Sequence, residues 1–338
     1  MQLATGAMAT RAHARTGLAF TELGLGTAPL ANLYRAIPQE EARAVMDTAW
    51  DGGVRHFDTA PLYGLGMAET RLNPFLKDKP RDSYVLASKV GRWLKATSFE
   101  GREGHGKWFD VPSRVGVYDY SYDGVMRSLE FSLERLGVDR VDILHTHDLD
   151  VWTHGSQEAL DGWIRQFVSG GHRALHELRS QGVIRAIGLG INEWETAQWL
   201  AERAELDVIL LAGRYTLLEQ GAAKSFLPVC EEKGIGVIIG GPYNSGLLAG
   251  HEFYNYDAVP PELALRTKRL KAVCESHGVS LIDAAFQFPL RHKAVVSVIP
   301  GSQTVAEMES NLRAARAEIP QALWDDLAAQ GLIPAGRG

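Results

Sequence analysis

Three short apolar runs in the first half of the chain end in residues that could transfer a proton. Asp58 and Tyr63 follow one run, Lys89 ends the next, and His147 ends a third. A lysine that ends a buried run is costly to bury unless it is paired, and Asp58 is an available partner. A cation beside a phenol favours the phenolate, so Tyr63 could give or take a proton near neutral pH. These residue types therefore predict acid–base chemistry, although each alone also has an ordinary structural interpretation.

The elements that must position these side chains alternate along the whole chain. Apolar runs rich in Val and Ile predict eight strands, at 23–26, 55–59, 84–89, 141–147, 186–192, 208–212, 236–240 and 295–300. Segments of helical period lie between and after them, at 39–51, 67–76, 123–136, 172–181, 193–204, 222–233, 262–277, 304–317 and 321–329. Strands that alternate with helices indicate a parallel sheet that is covered on both faces.

Eight such units favour an α/β fold of the (β/α)8 TIM-barrel type. No GxGxxG follows the first strand, which argues against a doubly wound dinucleotide-binding sheet. We predict a single barrel domain at 15–332, preceded by an N-terminal extension at 1–14. Long strand-to-helix segments at 91–122, 148–171 and 242–261 are expected to cover the active-site face, which in barrels lies at the strand ends.

Composition excludes several classes of function. The 338 residues carry a net charge of only −6 with no basic cluster, so no nucleic acid partner is expected. Nothing is long and apolar enough for a membrane span, and the first 14 residues lack the apolar core of a signal peptide. Cys230 and Cys274 fit no metal-ligand spacing. We therefore expect a cytoplasmic protein without a bound metal.

The segment from Gly52 to Gly64, which reads GGVRHFDTAPLYG, resembles the strand-two motif of the aldo-keto reductase superfamily. The resemblance covers nearly the whole chain and implies a catalytic tetrad of Asp58, Tyr63, Lys89 and His147. In the roles that it implies, Tyr63 is the general acid/base, Lys89 and Asp58 tune it, and His147 orients the substrate oxygen. His145 lies on the same face of its strand and is the alternative to His147.

Where the family places a Ser, a Gln and a Tyr around the nicotinamide, this chain has Gly190, Ala212 and the pair Gly240 and Gly241. These departures resemble an NAD-linked bacterial branch that contains D-threo-aldose (L-fucose) 1-dehydrogenase and pyridoxal 4-dehydrogenase. The resemblance implies that the cofactor is bound by residues after strands one, five, seven and eight: Gly26, Thr27, Asn192, Pro242, Asn244, Ser245, Gly246, Leu247, Pro300, Gly301, Ser302, Glu307 and Asn311.

Cofactor preference is predicted from the segment after the eighth strand. Family members that prefer NADP have a cation after the strand-eight proline and an arginine a few residues later. Here Gly301 supplies no cation, and Glu307 would repel a 2′-phosphate while accepting from a free 2′-hydroxyl. NAD is therefore expected rather than NADP, with Arg313 and Arg316 as alternative phosphate ligands.

The resemblance implies NAD(P)-dependent oxidation of a small cyclic hemiacetal, an aldose such as L-fucose or D-arabinose or else pyridoxal, to its lactone. The alternatives are a broad NADPH-dependent aldehyde or ketone reductase, and a non-catalytic barrel that binds a nucleotide. We expect aromatic residues of the long segments, chiefly Tyr34, Trp93 and Trp152, to contact the small-molecule substrate, with Trp108, Phe109 and Trp163 as further candidates. A homo-oligomer is compatible with the sequence.

Overall fold

Thirteen strands and twelve α-helices are present in the computed structural model, which describes residues 7–98, 107–251, 253–254 and 257–335. The strands are β1 Thr10–His13, β2 Leu18–Thr21, β3 Leu25–Gly26, β4 His56–Asp58, β5 Val85–Ala96, β6 Arg114–Asp119, β7 Ile143–His147, β8 Ala186–Ile191, β9 Val208–Ala212, β10 Gly236–Gly240, β11 Phe253–Tyr254, β12 Asp257–Ala258 and β13 Val295–Ile299.

The helices connect or follow the strands, and short 3-10 turns separate some of them. They are α1 Gln39–Asp51, α2 Met67–Leu76, α3 Tyr122–Leu136, α4 Val151–His154, α5 Gln157–Gln166, α6 His172–Ser180, α7 Trp194–Arg203, α8 Phe226–Lys233, α9 Pro261–Ser276, α10 Leu281–Gln287, α11 Val305–Ala315 and α12 Gln321–Ala329.

Eight strands pair in parallel around a barrel, in the order β3, β4, β5, β7, β8, β9, β10 and β13. The last strand returns to the first, because the Gly24 amide donates to the Val298 carbonyl at 2.9 Å and the Gly26 amide donates to the Pro300 carbonyl at 3.1 Å. Every residue of β7 and β8 is buried, as expected for strands with helices outside and a packed interior inside. The predicted (β/α)8 TIM-barrel fold is confirmed.

A hairpin of β1 and β2 closes the end of the barrel at which the strands begin. Leu18 and Phe20 of this hairpin are buried and form one apolar cluster with the first inward-facing residues of the barrel strands, among them Val85, Ile143 and Val208. The N-terminal extension was predicted to end at residue 14 and the barrel domain to begin at residue 15. Both residues lie in the turn of this hairpin.

All three long predicted loops contain regular structure that the sequence patterns did not reveal, and in 242–261 it is the antiparallel pair of β11 and β12. The third barrel strand was predicted at 84–89, but β5 continues to Ala96 and pairs with β6 in an antiparallel ladder from Gly91 to Ala96. The segment 148–171 contains α4 and α5. In the described part of the chain, no helix is long and apolar enough to cross a membrane.

Candidate active site

The four predicted catalytic side chains meet at the end of the barrel at which the strands finish. Lys89 on β5 donates from Nζ to Asp58 Oδ1 at 2.5 Å and to the Thr59 carbonyl at 2.9 Å. The same Nζ lies 4.9 Å from the centroid of the Tyr63 ring. The His147 ring is 6.0 Å from the Tyr63 ring, centroid to centroid, and the two rings are almost perpendicular at 85°. The sequence therefore predicted a group of residues that the fold does bring together.

Asp58 and Lys89 form an ion pair that is removed from solvent. Each residue is 1% exposed. Burial raises the pKa of Asp58, and the neighbouring Lys89 ammonium opposes that rise. Because a lone buried charge is costly, the two opposite charges stabilise each other, and the fixed lysine provides a positive charge beside Tyr63.

His147 lies in a more complex charged environment. Burial lowers its pKa well below the usual histidine range, and the nearby Arg92 and Lys89 cations lower it further. The imidazole is therefore neutral at neutral pH and can donate one hydrogen bond to a substrate oxygen. Its Nε2 lies 3.5 Å from Asp148 Oδ2, and Asp148 in turn accepts a hydrogen bond from Arg92.

The alternative histidine, His145, lies one layer deeper in the barrel and does not line the cavity described below. Its ring fills the space that a side chain at Gly188 on the next strand would occupy. His145 Nε2 is 4.0 Å from Asp58 Oδ2, and burial lowers the pKa of His145 well below its usual value. Of the two candidates, His147 is the one that can reach a bound molecule.

The tetrad opens into a cavity of about 650 Å³, a size typical of small-molecule sites. Tyr63, Lys89 and His147 line one part of it, and the hairpin of β5 and β6 lines another part through Arg92, Val115, Gly116 and Tyr118. Trp108 and Trp152 also line the cavity, and the Trp108 ring lies 6.1 Å from that of Tyr63. A polar core with aromatic walls is suited to a small polyhydroxy or heterocyclic molecule.

Not all of the predicted substrate residues are in the cavity wall. Trp152 is, but Tyr34 is 49% exposed outside the wall, and Trp93 packs against the Arg127 guanidinium. Trp93 points away because neighbouring residues of a strand face opposite sides, and Arg92 takes the cavity side. Arg92 and Asp148 were missed by the sequence analysis, although the alternating pattern of 114–119 could have indicated the hairpin.

The predicted cofactor residues lie on loops that are linked to one another around the barrel rim. Thr27 Oγ1, after β3, donates to the Asp58 carbonyl at 2.9 Å. Tyr243, after β10, donates to Asn311 Oδ1 at 2.7 Å, and Asn311 Nδ2 donates to Ser302 Oγ, after β13, at 3.0 Å. Gly26 forms a bridge with Gly301, beside Pro300. These residues form one continuous rim.

The loop after β10 has an unusual backbone. Asn244, Ser245 and Gly246 are consecutive residues with φ of 48°, 58° and 94°, a conformation that residues other than glycine seldom adopt and that recurs in ligand clamps. Asn244 itself is fully used, since Nδ2 donates to the Gly213 carbonyl at 3.1 Å and to Glu219 at 2.9 Å. Pro242 and Leu247, on either side of this turn in the sequence, are buried.

The residues present fit a nicotinamide cofactor. Beside Lys89, the cavity wall on β8 and β9 consists of Gly190, Ile191, Leu210 and Ala212, which form an apolar surface. A Cβ at Gly190 would approach Lys89 Cε to 3.4 Å. Asn192 also lines the cavity, where its Nδ2 donates to Asp148 at 3.2 Å. The segment 301–304 leads into the N-terminus of α11, the end of a helix that favours a phosphate group.

Glu307 and Gly301 have structural roles in addition to their predicted effect on the cofactor. Thr304 Oγ1 accepts from the Glu307 amide at 3.2 Å, and Glu307 Oε2 accepts from the Gln303 amide at 2.7 Å, which together cap α11. The Cβ of any side chain at 301 would overlap the Pro29 ring. Arg313 and Arg316 lie near the C-terminal end of α11, at least ~12 Å along the axis from its first residue.

Comparisons with known proteins agree with this arrangement. A profile of the aldo/keto reductase family matches residues 22–330. The chain is 41% identical over 336 residues to pyridoxal 4-dehydrogenase of Microbacterium luteolum, covering 96% of this chain and 97% of that protein. It is also 41% identical over 331 residues to D-threo-aldose 1-dehydrogenase of a Pseudomonas species, covering 96% and 98%.

Among solved structures, the holo form of the aldo-keto reductase AKR11C1 from Bacillus halodurans superposes with a TM-score of 0.76 at 23% identity, over 98% of both chains. In the described residues, no group of three or more His, Cys, Asp or Glu side chains is arranged to hold a metal ion. The fold, the tetrad geometry and the profile match lead to one conclusion: this chain belongs to the aldo/keto reductase family.

Proposed function

We propose that this protein is an NAD-dependent dehydrogenase that oxidises a small cyclic hemiacetal to its lactone. The observation that carries the proposal is the meeting of Tyr63, Lys89 and His147 in the cavity wall, with Asp58 paired to Lys89. The names of the two 41% identical relatives point to an aldose or pyridoxal as the substrate. The C1 hydroxyl of an aldose and the internal hemiacetal of pyridoxal present the same HO–C–H–O unit, so one site could act on both.

In the proposed reaction, Tyr63 takes the proton of the hemiacetal hydroxyl. The Lys89 ammonium, 4.9 Å from the Tyr63 ring, favours the phenolate that must receive this proton. The neutral His147 imidazole donates a hydrogen bond to the reacting oxygen and holds it near the phenol. NAD, when bound, supplies the acceptor for the hydride. The proton passes from the hydroxyl oxygen to Tyr63, and the hydride leaves the carbon that bears this oxygen. The C–O bond between them then becomes the lactone carbonyl.

Residues of the rim would hold the cofactor. We assign this role to Gly26 and Thr27 after β3, Asn192 after β8, the turn 242–247 after β10, and Pro300, Gly301 and Ser302 after β13 together with Glu307 and Asn311. Glu307 lies in the first turn of α11 and is exposed, so its charge would face a 2′-phosphate placed there. That repulsion supports NAD over NADP.

The direct test supplies NAD with L-fucose, D-arabinose or pyridoxal and follows NADH absorbance, with the product identified by NMR. We expect NADH and lactone in equal amounts from at least one of these substrates, and formation of both at least about a hundredfold slower with Tyr63→Phe. If the protein only reduces aldehydes with NADPH and forms no lactone, the proposed function is wrong.

A further inference from the structure

Arg92 and Asp148 form a second polar group in the cavity wall, next to the tetrad but not part of it. Arg92 lies on β5, three residues after Lys89, and Asp148 directly follows His147. Both line the cavity, and Arg92 donates to Asp148 Oδ2. Their side chains are only 9% and 15% exposed, so the pair is largely withdrawn from bulk water.

Both partners are held in fixed positions. The Arg92 guanidinium lies 4.6 Å from the centroid of the Tyr118 ring on the neighbouring strand. Asp148 accepts from Asn192 Nδ2 at 3.2 Å and lies 3.5 Å from His147 Nε2. Asp148 also adopts a φ of 52°, an uncommon conformation that aspartate and asparagine tolerate best. Such fixed groups bind a ligand with little loss of side-chain freedom.

The pair retains hydrogen-bonding capacity. Arg92 Nε is buried and has no hydrogen-bond partner within the part of the chain that is described. Buried donors of this kind are rare in proteins unless a ligand or water completes them. Asp148 is a carboxylate whose two oxygens can accept about four hydrogen bonds, so it can accept another from a hydroxyl. One donor and one acceptor side by side match a hydroxyl group, which both donates and accepts.

We propose that Arg92 and Asp148 bind the hydroxyl on the carbon next to the reacting carbon of an aldose. This proposal rests on the proposed function and narrows its substrate class to polyhydroxy aldehydes in their cyclic form. The pair neutralises its own charge, so it is suited to a neutral sugar rather than an anion. Asp148 Oδ2 is 3.5 Å from the imidazole that holds the reacting oxygen, so the two sites are spaced for neighbouring oxygens.

The test compares D-arabinose with 2-deoxy-D-ribose, which differ only in that hydroxyl. Wild-type kcat/KM should be about ten- to a hundredfold higher for D-arabinose, the range for a hydrogen bond to a charged group. Asp148→Asn, which keeps the backbone conformation, and Arg92→Met should bring the ratio close to one. Pyridoxal has no hydroxyl on the carbon bonded to its hemiacetal carbon. In Asp148→Asn and Arg92→Met, its kcat/KM should therefore fall relative to the wild type only as much as that of 2-deoxy-D-ribose.

The matched control is Asp142→Asn, just before the start of β7. Asp142 is also buried and ion-paired, with Arg81 at 2.8 Å, but it lies at the opposite end of the strand from the cavity. This variant should keep the wild-type ratio. A wild-type ratio near one, or equal losses on both sugars in Asp148→Asn and Arg92→Met, would overturn the subsite and leave the dehydrogenase function standing.

A second measurement separates the two proposals. Trp108 and Trp152 line the cavity, so quenching of tryptophan fluorescence gives the Kd of each sugar without turnover. If no substrate yields NADH, the proposed function fails, and the subsite is then judged by binding alone. It stands if D-arabinose binds at least about tenfold more tightly than 2-deoxy-D-ribose and this preference disappears in Asp148→Asn, and it falls if the two sugars bind equally.

Discussion

Replacing Lys89 by methionine removes the positive charge next to Tyr63 while keeping a side chain of similar length. Lys89 is 1% exposed, so water and salt screen its charge only weakly. With the 4.9 Å from Lys89 Nζ to the Tyr63 ring centroid as the separation, and an effective dielectric constant of about 20, a unit charge would stabilise the phenolate by about 3 kcal/mol. At 1.36 kcal/mol per pH unit, the loss of this stabilisation should displace the pH dependence of the rate upward by about two pH units.

The expected result is therefore a displaced pH profile rather than a uniform loss. The rate of hemiacetal oxidation at pH 7 should fall about a hundredfold, because the fraction of Tyr63 present as phenolate falls tenfold for each 1.36 kcal/mol of stabilisation that is lost. The rate should recover as the pH rises by about two units. The assay is kcat measured from NADH absorbance across the pH range, with saturating NAD and the best substrate.

Asp58 requires its own control, because Lys89→Met leaves this carboxylate buried without its ion-pair partner. Burial already raises the pKa of Asp58, so in the variant we expect it to take a proton and become neutral. The double variant Lys89→Met with Asp58→Asn should then show the same pH profile. Lys95→Met, at an exposed position on the same strand, should leave the profile unchanged.

An unchanged pH profile in Lys89→Met, with only weaker cofactor binding, would refute the electrostatic role. The lysine would then act by holding Asp58 and the Thr59 carbonyl in place. Breaking a buried ion pair typically costs about 3–5 kcal/mol of stability. Circular dichroism melting of each variant must therefore show a folded protein at the assay temperature.

Three further outcomes are expected. Tyr63→Phe should lower kcat by about 10²–10⁴ at every pH while NAD binding, followed by fluorescence titration, changes little; full turnover would disprove its role as general acid/base. Wild-type kcat/KM should favour NAD over NADP at least about tenfold. Glu307→Arg should reduce this preference, and the reduction should be smaller at high salt because salt screens the charge. Equal use of both cofactors by the wild type would contradict the role of Glu307. Burial lowers the pKa of His56 to about 3, so between about pH 6.5 and 3 the unfolded chain binds a proton that the folded chain does not. As the pH is lowered through this range, His56 should reduce the free energy of unfolding by up to about 1.4 kcal/mol per pH unit. Urea unfolding should show a weaker pH dependence in His56→Asn but not in the exposed-residue control His251→Gln, and an equal dependence in both would contradict the assignment.

The barrel and the tetrad could be predicted from the sequence because both follow from local pattern. Buried parallel strands are nearly continuous apolar runs, so a polar residue at the end of a run stands out, as Lys89 and His147 do. The carboxyl ends of all eight strands lie on one side of a barrel, which brings these residues together without further information.

The cavity wall could not be predicted in the same way. The hairpin of β5 and β6 pairs strands that are separated by seventeen residues, and the position of Trp93 depends on strand register. A shift of one residue turns every side chain of a strand to the other face, and this is the difference between Trp93 and Arg92. The roles of Glu307 as a helix cap and of Gly301 against Pro29 likewise depend on packing between distant segments.

The uninterrupted course of β5 has a consequence for how this enzyme could acquire new substrates. Lys89 is anchored in the parallel ladder with β7, while the ladder with β6 begins only two residues later, at Gly91. Gly91 has a φ of 103° and lies against the Tyr120 ring, so the strand can accept no side chain at this junction. An insertion between Lys89 and Arg92 would rotate the guanidinium out of the cavity. Changes of length between β5 and β6 would instead remodel the far wall and leave the lysine in register, so variation in substrate range is expected to accumulate there.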